Sequence, residues 1–357
     1  MSALRRPSRL AALIAATAAT AATALAASAC ASSTSPAGTA KAADAQGADP
    51  SSVTLRVGVT GWNNFEAALK VAGLDDTPYH VSWSVFSGGN LQLQAIQSGA
   101  LDVADSSEIP PVFAAAGGTV NFKVVAVQKA NTLLQELVVG KGSAVTSVAG
   151  LKGRKVGYVQ NTTAQYFLDK LLVQAGLSWK DITPVPLTPN QGVAALSSGS
   201  IAAFASYGNS IITAHAGGAT TIGSGEQILS GNFPWEVSNS LLGDAGQKAA
   251  LVDLLVRINK AYAYIRDGHQ QPFAQATATA TNEPVSEALS QLTADEAQQQ
   301  TRIVPTSTAA IASEQAVSDV FSGINALPKT VTVPSFWSTD LDAAFAKALD
   351  AAGEPTS

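Results

Sequence analysis

The chain has 357 residues, with 21 Lys and Arg against 26 Asp and Glu, and 46% of its residues are hydrophobic. This length predicts two lobes, each able to bury a core. The formal net charge of −5 argues against a nucleic-acid partner, because phosphate binding needs a basic surface.

Residues 1–29 are typical of an export signal. A basic start, RRPSR, precedes a run of Ala, Leu, Ile and Thr that continues to Ala29. The run is mostly Ala and Thr, which is too weakly apolar for a permanent membrane span, so we expect cleavage. Without Arg5, Arg6 and Arg9 the chain keeps 18 basic against 26 acidic residues, a net charge of −8.

Cys30 is the single cysteine, so no internal disulfide can form. It follows Ala27-Ser28-Ala29, which resembles a bacterial lipobox, although position 27 lacks the usual leucine. The alternative is an ordinary small-residue cleavage site followed by an unrelated cysteine. Residues 30–51 have the composition of a flexible tether. We expect an exported lipoprotein on the outer face of the cytoplasmic membrane, at the cell surface or in the periplasm.

From Val53 onward, short β-rich runs alternate with amphipathic helical runs. This pattern is typical of α/β proteins with mostly parallel sheets. The first series predicts strands at residues 53–59, 79–86 and 122–128, and helices at 65–73 and 91–99. The second series predicts strands at 134–140, 154–159, 182–187 and 201–207, and helices at 164–176 and 193–199. Two series indicate two lobes.

The later part of the chain is helical in pattern. Residues 245–268 show apolar side chains at helical spacing without a partner strand, and similar runs follow at 285–300, 309–323 and 338–350. Such a tail usually packs back onto the first lobe. We expect lobe 1 at 52–129 plus 236–351 and lobe 2 at 130–235. Each would be a mixed, mostly parallel sheet flanked by helices, with a two-strand hinge between them.

Small or polar side chains occupy five joins between predicted strands and helices. In open α/β sheets, ligands bind at the carboxyl ends of strands, beside helix N-termini with free N–H groups. The alternative is that Ser, Thr and Asn simply cap helices, but the two lobes contribute joins that would face each other. The candidate ligand-binding residues are Trp62, Asn63, Ser87, Gly88, Gly89, Asn90, Ser106, Ser107, Glu108, Asn131, Asn161, Thr162, Thr163, Tyr207 and Asn209.

Glu108 raises the question of the ligand's charge. With Pro110 and Pro111 it suits the start of a helix. We favour a position facing the cleft, because the segment follows a strand end, and a carboxylate there would meet the cationic end of a zwitterion such as taurine. Trp62 and Tyr207 either wall an apolar ligand tail or pack in the core.

Catalytic motifs are few. His80, His215 and His269 lack zinc-site spacing, LKGRKVG lacks the order of a P-loop, and no Gly-x-Ser-x-Gly occurs. The sequence disfavours an enzyme and predicts neither a cofactor nor a metal.

Three segments resemble the substrate-binding proteins of ABC importers for aliphatic sulfonates, taurine and nitrate. They are FSGGNLQLQAIQSGALDVADSSEIPPVFAAAGG (86–118), SVAGLKGRKVGYVQNTTAQYFLDKLLVQAGL (147–177) and INALPKTVTVPSFW (324–337). The likeness spans about residues 53–345. It implies a type II periplasmic-binding fold whose two lobes close on one ligand, and ABC permease subunits as partners.

The chain departs from that family at three places. Gly208 and Asn209 follow Tyr207 where the family often has an acidic residue and proline, Glu108 replaces an aspartate, and Asn161 replaces a glycine. The role survives these changes, but the substrate does not follow from the resemblance.

The sequence therefore predicts a monomeric, extracytoplasmic substrate-binding lipoprotein of an ABC importer. Its ligand would be a small organic anion, either an aliphatic sulfonate or a taurine-like compound. Two alternatives stay open. One is an enzyme on the same fold, in thiamine-pyrimidine or menaquinone-precursor chemistry, and the other is a sensory binding protein without transport.

Overall fold

A computed structural model describes residues 50–118 and 120–357 of the chain. The predicted export signal, the predicted lipidation of Cys30 and residues 30–49 of the predicted tether lie outside the described residues. The described chain starts with a short 3-10 helix, Pro50–Ser52.

Strands and helices alternate through most of the described chain. The strands are β1 Thr54–Thr60, β2 His80–Phe86, β3 Val103–Asp105, β4 Phe122–Lys129, β5 Gln135–Val139, β6 Lys155–Tyr158, β7 Thr183–Pro186, β8 Ala203–Tyr207, β9 Thr220–Ser224, β10 Asn232–Ser238 and β11 Arg302–Val304. The helices are α1 Asn64–Ala72, α2 Gly89–Gln97, α3 Ile109–Ala116, α4 Thr163–Gln174, α5 Pro189–Ser197, α6 Asn209–Ala216, α7 Asn239–Gly243, α8 Ala245–Arg266, α9 Gln270–Thr281, α10 Val285–Gln298, α11 Thr308–Gly323 and α12 Asp342–Ala352.

Six strands form the first sheet, in the order β11-β4-β10-β3-β1-β2. β1 runs parallel to β2 and β3, whereas β10 runs antiparallel to β3 and β4. Leu55, Val57 and Val59 of β1 are fully buried, in one core with Leu254 and Ile258 of α8. Residues far apart in the chain therefore build this core.

Five strands form the second sheet, in the order β7-β6-β8-β5-β9. β6 runs parallel to β7 and β8, and β5 runs antiparallel to β8 and β9. Its core includes Phe167 and Leu168 of α4 against Phe204 of β8, all fully buried. Two mixed sheets flanked by helices confirm the predicted α/β class.

The chain crosses between the sheets at two adjacent points. It leaves the first sheet after Lys129 and returns at Asn232, and these two residues pair across β4 and β10. The predicted lobe boundary at residue 236 falls inside β10, whose fully buried Trp235 pairs with Asp105. The sheet pairing therefore puts the return to the first sheet at Asn232, earlier than the sequence predicts. Division into two mobile lobes stays a prediction.

Three strands, β9, β10 and β11, and two helices, α7 and α9, lie outside the elements predicted from sequence. β11 has three residues, which is too short to show an alternating pattern. β10 contains Pro234, and β9 ends in glycine and serine, residues that are uncommon inside strands. α9 is rich in threonine and contains Pro272, so its helix propensity is weak. Within the described part of the chain, no helix has the length and apolarity that a membrane span needs.

Gly192 provides a test of the second core. It lies inside α5, and a Cβ added there would come within 2.0 Å of the Phe204 ring. We expect Gly192→Ala to lower the free energy of unfolding by about 1–3 kcal/mol or more, as overpacked core substitutions do. Gly323→Ala is the control, since a Cβ on this other helical glycine meets nothing within 4 Å. Urea denaturation followed by tryptophan fluorescence measures both, and equal stabilities would contradict the packing of α5 on β8.

Candidate functional site

Two adjoining cavities lie where the carboxyl ends of strands from both sheets meet. The hydroxyl cavity, of about 270 Å³, is lined by Ser106, Ser107, Thr162 and Thr163 among others, and the aromatic cavity, of about 460 Å³, by Trp62, Tyr262 and Phe273 among others. The lining residues that both cavities share are Thr60, Asn64, Gln128, Ala130, Asn131, Leu134, Tyr207, Gly208 and Asp295. We refer to the two together as the cleft.

Helix starts from both sheets converge on the hydroxyl cavity. α2 begins at Gly89 and α4 at Thr163, and both residues line the cavity. The first N–H groups of a helix have no partner in regular helical bonding. In α4, Ala164 N bonds Thr162 Oγ1 and Gln165 N bonds Thr162 O, so the N–H of Thr163 is the one that these bonds leave to a ligand. Glycine is required at position 89, because a Cβ there would come within 2.4 Å of the Ser106 Cβ.

Three of the predicted ligand-binding residues already use their side-chain hydroxyls within the protein. Thr162 Oγ1 accepts from Ala164 N and donates to Val159 O at 2.7 Å. Thr163 Oγ1 donates to Gln135 Oε1 at 2.6 Å, and Ser106 Oγ donates to Glu236 Oε1 at 2.6 Å. These side chains hold the cavity wall in shape.

Two hydrogen bonds connect the two sheets directly across the cleft. Tyr207 Oη donates to Ser87 O at 3.1 Å, and Asn209 Nδ2 donates to Gly61 O at 3.3 Å. Gly88 permits the first contact, since a Cβ at this position would approach Tyr207 Oη to 2.7 Å. The observed arrangement is one in which the cleft walls touch, and we call these two bonds the clasp.

Buried carboxyl groups lie along the cleft and behind it. Burial raises the pKa of Asp105 to about 8 and that of Asp295 to about 7. Burial also raises the pKa of Glu236 and of Glu314 well above the ordinary range. Asp105 Oδ1, Glu236 Oε2 and Glu314 Oε1 are buried without a hydrogen-bond partner. Each of these groups therefore holds its proton to a higher pH than an ordinary carboxyl does.

The structure brings most of the predicted site residues together. Gly88 lies against Tyr207, as described above, and Asn63, Asn90, Glu108 and Asn161 are not among the residues that line the cleft. The predicted residues that do line it are Trp62, Ser87, Gly89, Ser106, Ser107, Asn131, Thr162, Thr163, Tyr207 and Asn209.

The four outlying residues have local roles. Asn63 precedes α1 and its amide bonds Glu66. Asn90 and Asn161 line a separate groove beside α3, and Asn161 adopts a positive φ of 60° that fits a turn.

Glu108 binds the returning crossover segment. Its Oε1 accepts from Asn232 Nδ2 at 2.9 Å and its Oε2 accepts from Ser230 Oγ at 2.7 Å. The residue is 4% exposed and lines a separate cavity of about 120 Å³. The sequence-based preference for a cleft-facing Glu108 is therefore corrected, because both carboxylate oxygens already have partners on the hinge.

Several lining residues escape the sequence reasoning. Asp105 directly precedes the predicted Ser106, so the same strand-to-helix join indicates it as a lining residue. Tyr262, Phe273 and Asp295 come from the C-terminal helices, where no strand end marks a ligand site. Only the packing of α8, α9 and α10 brings them to the cleft.

Comparison with known proteins supports a shared fold and a partial sequence relationship. Residues 85–227 match the family model described as NMT1/THI5 like. Over 125 residues the chain is 34% identical to an aliphatic sulfonates-binding protein of Escherichia coli (strain K12), which covers 35% of this chain and 39% of that protein. The chain thus matches about two fifths of that curated relative's length.

Solved structures match over most of the chain. The periplasmic aliphatic sulphonate-binding protein SsuA of Escherichia coli has a TM-score of 0.68 and 25% identity, covering 79% of this chain and 91% of that one. The alkanesulfonate-binding protein SsuA of Xanthomonas axonopodis pv. citri, bound to MOPS, has a TM-score of 0.71 and 25% identity, covering 82% and 99%. The desulfurization enzyme DSZB shares the fold alone, with a TM-score of 0.60 and 16% identity over 84% of this chain and 99% of that one.

The class defined by this fold and cleft is the two-lobed type II periplasmic-binding protein, as the sequence predicts. Within that class, the chain is related to the aliphatic sulfonate-binding proteins.

The buried carboxyls predict an unusual dependence of stability on pH. A carboxyl whose pKa is higher in the folded than in the unfolded state binds more protons when folded, so stability falls as pH rises between the two values. The window runs from about 4, the ordinary value, to about 7 for Asp295 and about 8 for Asp105. We expect Asp105→Asn to lose less stability than the native protein across this window, by at least about 1.4 kcal/mol in total, the equivalent of one pKa unit. Urea denaturation at several pH values tests it, with the exposed Asp340→Asn as control, and an unchanged slope in Asp105→Asn would refute the assignment.

Proposed function

We propose that this protein is an exported substrate-binding component of an ABC importer, and that it binds a small organosulfonate in the cleft. The observation that carries the proposal is the convergence of helix starts from two sheets on one cavity. The relationship to sulfonate-binding proteins supports the ligand class. MOPS, the molecule bound to the Xanthomonas relative, also carries a sulfonate.

The sulfonate is held by neutral donors. Among the described residues that line the cleft, there is no Lys, Arg or His. A sulfonate accepts hydrogen bonds and donates none, and helix N-termini bind such anions through backbone N–H groups. The starts of α2 at Gly89 and of α4 at Thr163 supply these groups.

Side-chain amides add further donors. Asn131 lines the cleft, and its Oδ1 accepts from Leu133 N at 3.1 Å. The Nδ2 group of the same amide is left to donate to a ligand. Gln135 Oε1 accepts from Thr163, so its Nε2 hydrogens are the free part of that side chain. Both residues are partly buried, and amide N–H groups at the cleft suit a ligand that accepts hydrogen bonds.

Binding is coupled to closure of the two lobes through the clasp. If ligand binds the closed form, each interaction that stabilises closure raises the apparent affinity. The Tyr207 hydroxyl provides one such interaction, and the substitution Tyr207→Phe removes it while keeping the ring.

Titration calorimetry with ethanesulfonate and butanesulfonate tests the proposal. We expect both to bind the native protein, and Tyr207→Phe to weaken binding about twofold to tenfold, the equivalent of one net hydrogen bond. Tyr264→Phe is the matched control, since Tyr264 is 40% exposed and stacks on His269 away from the cleft. A folded native protein that binds neither sulfonate would contradict the proposal.

Two experiments distinguish this proposal from an enzyme and from a sensory binding protein. Turnover of a bound compound would favour an enzyme on this fold, as in the desulfurization enzyme. Sulfonate binding without sulfonate uptake in cells would favour a sensory role.

We also propose that residues 1–29 are removed and that Cys30 is lipidated, with the body joined to the outer face of the cytoplasmic membrane by residues 30–51. Partners are then the permease subunits, and the working form is a monomer. Cys30 is the single cysteine and follows Ala27-Ser28-Ala29, which supports this attachment.

Cell fractionation tests the anchor. We expect the native protein in the membrane fraction and in the detergent phase, whereas Cys30→Ser sheds the body or stalls processing, because the acyl chains supply the attachment. Ser28→Ala is the control, since it keeps a small residue before the cysteine. Normal processing and membrane retention of Cys30→Ser would exclude the lipid anchor.

A further inference from the structure

The cleft lining is acidic, which disfavours a plain anion wherever its carboxyls are ionised. Four carboxyl residues line it, Asp105, Glu283, Asp295 and Glu296, and no basic side chain lies among the described lining residues. Like charges a few ångströms apart repel, and more strongly in a dry cavity than in water. An excess of acidic side chains would therefore weaken the binding of a simple alkanesulfonate.

Two of the four carboxyls have their own partners. Glu296 forms an ion pair with Arg266 at 3.2 Å and accepts from Thr301 N at 3.2 Å. Glu283 accepts from Thr281 Oγ1 at 2.7 Å. The charge of Glu296 is therefore compensated within the fold, whereas Glu283 has a neutral partner and no ion pair among the described residues.

The other two carboxyls lack a cation. Asp295 Oδ1 accepts only from the neutral Gln291 amide, at 2.7 Å. Asp105 Oδ1 is buried without any hydrogen-bond partner. Neither carboxyl takes part in the ion pairs formed by the described residues. A buried, unpartnered carboxylate oxygen beside a cavity is a vacant acceptor position.

Aromatic rings adjoin these two carboxyls. Tyr262 is close enough to Asp105 and Asp295 for both charges to raise its pKa, in addition to the larger effect of burial. Phe273 lies 5.9 Å from the Tyr262 ring and 5.7 Å from the Trp62 ring, centroid to centroid. Aromatic faces attract cations, and alkylated ammonium groups most characteristically.

We propose that the cleft selects zwitterionic sulfonates that carry an alkylated ammonium group, which Asp295 and Asp105 hold beside the rings of Trp62, Tyr262 and Phe273. This inference rests on the proposed function and names its substrate class. The ammonium group occupies the junction of the two cavities, where Asp295 lines both. The sulfonate lies at the starts of α2 and α4 in the hydroxyl cavity, so the ligand's two charges each meet an opposite partner.

Two sulfonates of nearly the same shape separate charge from size. In 3-(trimethylammonio)propane-1-sulfonate the head carries a positive charge, whereas 3-(trimethylsilyl)propane-1-sulfonate has neutral silicon in place of nitrogen. By titration calorimetry we expect the ammonium compound to bind at least tenfold more tightly. Asp295→Asn removes that preference by weakening only the ammonium compound, whereas Glu287→Gln, an exposed change on the same helix, leaves it intact.

A pH series supplies a readout that does not need a variant. The groups facing Asp295 and Asp105 are Gln291 and Glu296 of α10, Glu283 before it, Tyr262 of α8 and Glu236 of β10. Arg266 of α8 pairs with Glu296. A bound cation favours the ionised carboxyls, so affinity for the ammonium compound rises between pH 6 and pH 8.5, across pKa values of about 7 and about 8. Affinity for the silyl compound falls over the same range.

The outcomes distinguish the two proposals. Equal affinity for the two compounds, or tighter binding of the silyl compound, overturns the ammonium site and leaves sulfonate binding intact. Failure of both to bind a folded protein overturns the proposed function. If butyltrimethylammonium binds as tightly as the zwitterion, the sulfonate group contributes nothing to binding. That result would contradict sulfonate binding in the proposed function and support the ammonium site. If Asp295→Asn does not fold, Asp105→Asn and the pH series decide.

Discussion

The antiparallel pairing of β4 with β10 is the constraint on which the site depends. Asn232 pairs with Lys129, and Ala130 N extends the contact by donating to Gly231 O at 3.0 Å. Because the chain leaves and returns at neighbouring points, the second sheet is attached through two adjacent segments. The ends of β1, β3 and β8 consequently face a shared cleft. Glu108, at the start of α3, adds to this attachment by bonding Ser230 and Asn232 of the returning segment.

Uncompensated carboxyls are the main electrostatic feature of this arrangement. Burial of a charge without a partner is costly, and proteins usually avoid it by pairing or by proton uptake. Here Glu236 and Glu314 are fully buried, and Glu236 interacts electrostatically with both Glu314 and the cleft-lining Asp105. Local departures from favourable packing tend to mark functional sites. In this protein the unpartnered Asp105 lies in the cleft wall, where a cationic group of a ligand would compensate its charge.

Sequence reasoning located the cleft better than it assigned the chemistry within it. Polar strand-to-helix joins identified Ser87, Gly89, Ser107 and Tyr207 as cleft residues, since those joins follow strand ends by the rules of α/β topology. It also predicted Thr162 and Thr163 as ligand-binding residues, but their hydroxyls bond Val159 and Gln135. A hydroxyl's partner depends on atoms that come from other elements, and a motif does not contain that information.

The sequence by itself determined the alternation of strands and helices, the α/β class, and the polar joins, because each of these depends on residues close together in the chain. Tertiary structure alone decided that Glu108 faces the hinge, that the return to the first sheet occurs at Asn232, and that Asp295, Tyr262 and Phe273 reach the cleft. These three facts depend on contacts between residues separated by more than one hundred positions. Hydrophobic periodicity specifies which face of a helix is buried, but the neighbour that covers that face is chosen by the packing of the whole core.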